Sequence, residues 1–447
     1  MDSWPLLANP SPELTVAWRG GRPVSAAHFL TDARRIAAQL PGDGPVLNLC
    51  RDRYAFATGF AAALIAGRTS LLPSSTAPLA LAQLAARSPG LACVTDDEEA
   101  PARVPALRLP LDSDGSALPF EVPSIRLSLR AAIVYTSGST GEPLGHAKTW
   151  GALVHCLRTG AERLGLAATP HSIVATVPPQ HMYGFELSVL MPWIAGHAPA
   201  SERPLHAAEV AAAIAAVPAP RMLVTTPVHL RALLASTIEL PTLAGIVSAT
   251  APLSASLALD CERRWQVPLR EIYGSTETGE MASRRTAHES LWTLWPGVRL
   301  EPSSEGYVAL GGHLAEPVTL QDCVEPIDAT LFALHGRRTD LINVAGKRSS
   351  LGYLDHQLQS VAGVLDGAFI AREDAALEGS VTRLAALVVA PSLNVADVTA
   401  ELRRRIDPAF MPRPLLLVDR LPRNAAGKLP RAAVDELLAR RVQASRA

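Results

Sequence analysis

The chain has 447 residues, 48% of them hydrophobic and 19% charged, with a formal net charge of −1. That length buries a large core and divides into at least two domains, and the composition is globular and rather apolar, which excludes a disordered chain. The near-neutral balance gives no overall field to attract nucleic acid or an anionic membrane.

Five cysteines (Cys50, Cys93, Cys156, Cys261 and Cys323) are scattered without a Cys-x-x-Cys pair. The pattern argues for a reducing compartment and against a disulfide framework or a zinc site. The first residues include Asp2, Pro5 and Pro10 and lack a basic start with a long apolar run, so no secretory signal is read and a cytoplasmic location is expected. The most membrane-like stretch, residues 54–66, sits between Arg53 and Arg68. It is shorter than the about 20 apolar residues that span a bilayer and reads as a buried helix.

In chain order, residues 26–40 carry a helical pattern, followed by a Pro-Gly-Asp-Gly turn and the strand-like residues 46–49. The helix ending near Ala66 leads into strand-like residues 69–72, and helix–strand alternation recurs through 91–94, 172–175 and 221–224. Such alternation predicts an α/β fold of mostly parallel sheet with helices on both faces. Residues 206–217 are alanine-rich and read as a closely packed helix. Short apolar runs with turns over 307–332 predict a small antiparallel β unit, and residues 336–340 form a polar, charged joint. The chain from Leu341 onward has the size of a separate α+β domain of about 100 residues. The expected division is residues 1–336 and 341–447, with a hinge at 337–340.

The most informative stretch is Tyr135-Thr136-Ser137-Gly138-Ser139-Thr140-Gly141-Glu142-Pro143, placed directly after the apolar run 131–134. A buried strand that empties into such a loop presents hydroxyls and unhindered backbone N–H groups at one point, as an anion requires. It is not a Walker A sequence, because no Gly-Lys-[Ser/Thr] follows at the required spacing. Further along come His181-Met182-Tyr183-Gly184, Tyr273-Gly274-Ser275-Thr276-Glu277-Thr278-Gly279, Gly336-Arg337-Arg338-Thr339-Asp340 and Pro422-Arg423-Asn424-Ala425-Ala426-Gly427-Lys428.

These five segments, in this order, resemble the motifs of the adenylate-forming (AMP-binding) superfamily, which includes acyl-CoA synthetases, peptide-synthetase adenylation domains and luciferases. The resemblance runs from near Leu14 to about Arg431. It implies a large N-terminal domain that binds ATP and an acyl group, with a smaller, mobile C-terminal lid. It also implies ATP and Mg2+, a small carboxylic acid substrate, and coenzyme A or an acyl carrier protein as thiol donor.

Residue by residue, the resemblance places Thr136, Ser137, Gly138, Ser139, Thr140 and Gly141 on the β- and γ-phosphates. Glu277 becomes the magnesium ligand, since a hard divalent ion wants carboxylate and phosphate oxygens. Thr276 offers a hydroxyl to the α-phosphate, and Tyr273 with Gly274 borders adenine. Ser248, Ala249 and Thr250 match the small-residue segment between adenine and acyl pocket. Asp322 would hold both ribose hydroxyls, with Arg337 and Arg348 as further nucleotide contacts, and Thr339 takes the hinge position. Lys428 would bridge the acyl carboxylate and the α-phosphate, neutralising both reacting anions. His181 acts as a gate, with Tyr183, Gly184 and Met281 lining the acyl pocket.

Thr339 departs from the family, which commonly has Asp or Lys at the hinge, so a hinge without charge is implied; two further differences bear on the site. Lysine normally follows the loop's proline, where this chain has Leu144; Lys148 lies four residues on. Lys148 reads either as an ordinary solvated helix lysine or as the replacement for the missing cation; the loop is expected to open a helix, in which the two positions share one face. No acid stands where amino-acid-activating relatives pair one with the substrate ammonium. Glu186 is the nearest, so the pocket is expected to take a plain carboxylate, aromatic or aliphatic, with a hydroxybenzoate-type acid preferred. The resemblance to compact bacterial acyl and aryl ligases implies adenylate formation followed by thioester formation. The rival readings are transfer of the acyl group to an amine, and a non-catalytic nucleotide sensor.

Overall fold

Two large sheets carry the helix–strand alternation in the computed structural model, which describes residues 2–8, 11–97, 104–109, 118–137, 143–337, 341–344, 347–372, 383–423 and 429–444. The first sheet runs, in spatial order, Pro143–Thr149, Arg130–Ser137, Ser70–Leu72, Val46–Asn48, Ala92–Thr95 and Ala106–Arg108. Its pairings are parallel except for the edge hairpin made by the first two strands.

The second sheet orders Ala198–Pro199, Ser172–Ala175, Arg221–Thr225, Gly245–Ser248, Leu269–Ser275, Gly279–Arg284, Trp292–Leu294, Leu331–Arg337 and Asp322–Pro326. Pairing is parallel up to Leu269–Ser275 and antiparallel beyond it. The sheet is therefore mixed, not mostly parallel. The reason is connection length: a parallel crossover needs about a dozen residues, whereas only Thr276, Glu277 and Thr278 separate two of its strands.

Between the sheets lies the helix Arg53–Ile65, buried from Arg53 to Leu64 and capped by Asp52, whose side chain accepts from the Ala55 N–H. The membrane-like run is thus a core helix, as expected. Its first residue ties the two sheets together. The buried Arg53 guanidinium donates to the carbonyls of Ala175, Val177 and Ala200 and to the Ser188 hydroxyl. Burial without a bonded carboxylate brings its pKa down to about 10, and the carbonyl set satisfies its donors.

The alanine-rich segment forms the helix Ala207–Ala215. The small antiparallel unit exists as Val298–Ser303, Gly306–Gly311 and Val318–Thr319, but the strands after it join the second large sheet instead. From Leu341 onward the chain forms a smaller α+β region: a hairpin (Leu341–Val344 with Lys347–Ser350), the helix Leu351–Gln359 and a sheet of Asp366–Arg372, Arg383–Val389 and Leu415–Leu417. It has its own apolar cluster around Leu354, Leu358, Phe369, Val388 and Leu402. Among the described residues no helix is long and apolar enough to cross a membrane.

Candidate active site

Two hairpins meet at Glu277. The first pairs Arg130–Ser137 with Pro143–Thr149, bringing Leu144 opposite Thr136 and Lys148 opposite Ala132. Gly145 is needed there, because a Cβ would lie 2.8 Å from the Ile133 side chain and 3.0 Å from the Tyr135 ring. Gly138, Ser139, Thr140 and Gly141, at its tip, lie outside the described residues; for Ser137 only the backbone position is described.

The second hairpin joins Leu269–Ser275 to Gly279–Arg284. Its turn is cross-linked: the Ser275 N–H donates to Thr278 Oγ1 at 2.9 Å, and the Thr278 N–H donates back to Ser275 Oγ at 3.2 Å. Gly279 adopts φ +69°, and a Cβ on Gly274 would sit 2.2 Å from the Gly279 carbonyl oxygen. Only glycine tolerates that approach. Thr276 and Glu277 are therefore presented, half-buried, on a rigid tip.

The hairpins are joined through Lys148, whose Nζ donates to the Glu277 carbonyl at 2.6 Å. His146 Nε2 lies 3.4 Å from Glu277 Oε1 and 3.1 Å from Thr136 Oγ1. The helix expected after the loop is absent. Residues 143–149 are strand, and the helix Trp150–Leu164 begins only after the Thr149 cap. Alternating polar and small residues (His146, Lys148) within a paired edge strand explain the change of period. Lys148 is only 9% exposed, so it is not a solvated lysine. Leu144 is 59% exposed.

Charges follow this packing. Burial raises the Glu277 pKa, but the hydrogen bonds from Ser275 and its own backbone, with the charges of His146 and Lys148, outweigh it and hold the carboxyl below its usual value. Burial lowers Lys148, opposed by Glu186, Cys156 and Glu277. Burial also lowers His146, helped by Lys148 and opposed by Glu277.

Beside this centre, Tyr273 is anchored by its hydroxyl, which donates to Asp322 Oδ2 at 2.8 Å, while its ring packs on Trp292 and Phe332. Asp322 is the register partner of Arg337. Ser248 and Ala249 are buried at the carboxyl end of a central strand, and Thr250 adopts φ 79°. A β-branched residue in that region is strained, and strain of this kind gathers at functional sites. Ligand sites of such sheets also lie outside the carboxyl ends of the strands.

His181 is exposed at the start of the short helix Met182–Phe185. The Tyr183 hydroxyl donates to the Val247 carbonyl at 2.9 Å, and a Cβ on Gly184 would lie 2.1 Å from the Pro178 carbonyl oxygen. Met281 is fully buried. The backbone of Arg348 pairs with Asn343 in the C-terminal hairpin. Thr339 and Lys428 lie outside the described residues.

Sequence reading missed His146, Cys156, Glu280 and His313. The interior beside Tyr183 is not bare of acids. Glu186 and Glu280 are both buried; the Cys156 Sγ lies 3.8 Å from Glu186 Oε1 and 3.4 Å from the Glu280 carbonyl. Burial pushes Glu186 up to about 7 against the opposing charge of Lys148, and burial with the charge of Glu186 pushes Glu280 up as well. His313 Nε2 sits 2.8 Å from the Thr278 carbonyl, closing the turn from beneath. The only signal for Glu280 was its place directly after Gly279. A separate cavity of about 90 Å3, lined by Asp32, Arg35, Tyr54, Thr58 and Leu107, contains none of the motif residues.

The sequence pattern of the AMP-binding enzyme family matches residues 11–299. The chain is 30% identical over 289 residues to the 4-coumarate–CoA ligase of Rhodobacter capsulatus, covering 64% of this chain and 71% of that one. It is 32% identical over 310 residues to the 4-coumarate–CoA ligase of Halorhodospira halophila, covering 66% and 73%. The fold matches that of o-succinylbenzoate CoA synthetase from Bacillus subtilis in complex with its acyl-adenylate intermediate, with a TM-score of 0.79, 18% identity and 97% and 98% of the two chains covered. Fold, motifs and relatives define one class, the AMP-forming acid–thiol ligases, which activate a carboxylate with ATP. The chain belongs to the AMP-binding enzyme family.

Proposed function

We propose that this enzyme joins a small aryl or acyl carboxylic acid to a phosphopantetheine thiol, of coenzyme A or a carrier protein, in two half-reactions. In the first, a carboxylate oxygen attacks the α-phosphorus of ATP and pyrophosphate leaves. In the second, the thiol sulfur attacks the acyl carbon, the thiol proton is lost and AMP leaves. The observation that carries this reading is the junction of the two hairpins, where Lys148 fixes the Glu277 backbone and leaves its carboxylate ionised and partly open.

That carboxylate fits Mg2+, which takes one or two protein carboxylates together with substrate phosphates and not a dedicated cage. The ion would be held by Glu277 and would supply neutralisation of phosphate charge. In this reading Thr136, Ser137, Gly138, Ser139, Thr140 and Gly141 surround the phosphates, and Thr276 faces the α-phosphate. Tyr273, Gly274, Ala249, Thr250, Asp322, Arg337 and Arg348 border the nucleoside. Support for the nucleoside side comes from the Tyr273–Asp322 hydrogen bond, which presents ring and carboxylate as one unit.

His181, Tyr183, Gly184, Ser248 and Met281 bound the acyl pocket, and Lys428 bridges the reacting anions. Residues 1–336 and 341–447 act as domain and lid about a hinge at 337–340 that includes Thr339. Arg423, within the same motif as Lys428, holds Asp366 with a paired contact of 2.7 and 2.8 Å. The relatives named for 4-coumarate support an aryl acid, with a hydroxybenzoate-type acid preferred, and a cytoplasmic location accords with the thiol donor. Pyrophosphate release across a panel of acids, with coenzyme A or loaded carrier and with amines as acceptors, tests this. Acid-dependent release with thioester product is expected. Amide product, or nucleotide binding without release, would replace the reading.

A further inference from the structure

Glu280 is a buried carboxyl without an assigned partner. It follows Gly279 in the strand Gly279–Arg284, is 3% exposed, and neither of its oxygens has a hydrogen-bond partner among the described residues. The Ser248 hydroxyl, fully buried at the end of the strand Gly245–Ser248, is unpartnered there too. Tyr183 connects the two places: its hydroxyl is bonded to the carbonyl of Val247, next to Ser248, and it lies within electrostatic reach of Glu280.

The neighbouring acid is different. Glu186 faces the Cys156 thiol and the charge of Lys148, whose ammonium is in turn bonded to Glu277. The local cation therefore serves Glu186 and Glu277, and among the described residues no donor serves the Glu280 carboxyl. An unsatisfied buried polar group costs about 1–3 kcal/mol, and more when charged. A chain that keeps two such groups in its interior, one on either side of Tyr183, gains nothing from them until a ligand supplies the missing donors.

We propose that Glu280, with Ser248, is the specificity-determining end of the acyl pocket, and that the substrate is an acid carrying a hydrogen-bond donor, an amino or hydroxyl group, remote from its carboxylate. This rests on the placement of the acyl pocket beside Tyr183 and narrows the expected carboxylate, aromatic or aliphatic with a hydroxybenzoate-type acid preferred, to acids that carry such a donor. A site built to hydrogen-bond a substrate NH or OH rejects the analogue lacking it far more strongly than an apolar slot rejects an added group.

The test compares the aminobenzoates and hydroxybenzoates with the methylbenzoates, which match them in size, at each ring position. Pyrophosphate release is measured for the parent, Glu280→Gln and Glu280→Leu. The parent should favour a donor-bearing acid over its methyl analogue by at least about tenfold in kcat/KM. Glu280→Gln, which keeps an acceptor, should retain part of that preference, and Glu280→Leu should abolish or invert it. Glu280→Leu should also melt at or above the parent temperature, since it removes an unpaired buried carboxyl, so lost activity on donor acids cannot be ascribed to unfolding. Release with methyl acids as fast as with donor acids in the parent, or an unchanged preference in Glu280→Leu, overturns the inference while leaving the ligase reading intact. No release with any acid removes the ligase reading itself.

Discussion

Replacing Lys148 by Met tests how the two hairpins work together. The lysine makes one charge-assisted hydrogen bond, 2.6 Å to the Glu277 carbonyl, from a position only 9% exposed. Such a bond contributes about 1.5–3 kcal/mol, so its loss should slow acid-dependent pyrophosphate release by about ten- to a hundredfold. Because the bond fixes the backbone of the proposed magnesium ligand, the Mg2+ concentration for half-maximal rate should rise along with the apparent Michaelis constant for ATP. Thermal stability should change less, since burying the ammonium is itself unfavourable and offsets part of the contact. Adding Leu144→Lys should not restore the rate. In a strand, four residues span about 13 Å, and Leu144 is exposed while Lys148 is buried. A helix would have put both ammonium groups in one place. Initial rates titrated against Mg2+ and ATP for Lys148→Met, with and without Leu144→Lys, decide it. An unchanged Mg2+ titration in the single variant, or recovery in the double one, would show that the lysine is an interchangeable phosphate cation and refute the positioning argument.

Further outcomes are expected at the site and in the core. Lys428→Ala should slow adenylate formation about 100-fold, equivalent to roughly 3 kcal/mol, while thioester formation from supplied acyl-adenylate stays near the parent rate; equal loss in both half-reactions would reassign the residue. Glu277→Gln should raise the Mg2+ requirement sharply, because an amide is a poor ligand for a hard cation, and an identical titration would move the metal elsewhere. Burial lowers His197 and His313 to about 4. Both bind protons in the unfolded chain from about pH 6.5 downward but not in the folded one, so their contribution to stability is present above that pH and declines as pH falls toward 4, by about 1.4 kcal/mol per unit each. Urea unfolding of His197→Gln should therefore diverge from the parent curve inside that window, and parallel curves would contradict it. Glu186, raised to about 7, acts in the opposite sense: its contribution is complete below its unfolded value and is lost as pH rises through 7.

The fold was legible where period and composition agree. The helix Ala26–Gln39 and the strands Val46–Asn48, Ser70–Leu72, Ser172–Ala175 and Arg221–Thr225 fall where the alternation predicts them. The apolar run after Arg53 is the buried helix it resembles. Legibility ended at the hairpins. A Ser/Thr/Gly loop after an apolar strand reads equally well as opening a helix or turning back. What decides is the tertiary pairing of residues 143–149 with 130–137, for which His146 and Lys148 give only a weak alternating signal.

At the site, motif order marked Thr136, Glu277, Tyr273 and Asp322, and the structure brings the first two together through His146 and the last two through one hydrogen bond. Motif order could not supply burial. Lys148 and Glu280 are an ordinary lysine and an ordinary glutamate in the sequence, and their interest arises from losing water. Lys148 loses it and gains a carbonyl and nearby carboxylates; Glu280 loses it and gains no side-chain partner among the described residues. The same desolvation therefore has two outcomes a few residues from the Glu277 turn. A charge compensated by the protein can hold the site's geometry before substrate arrives. A buried carboxyl left without a hydrogen-bond partner makes the interior complete only when substrate is present, so that affinity for the right acid and instability of the empty pocket share a single cause.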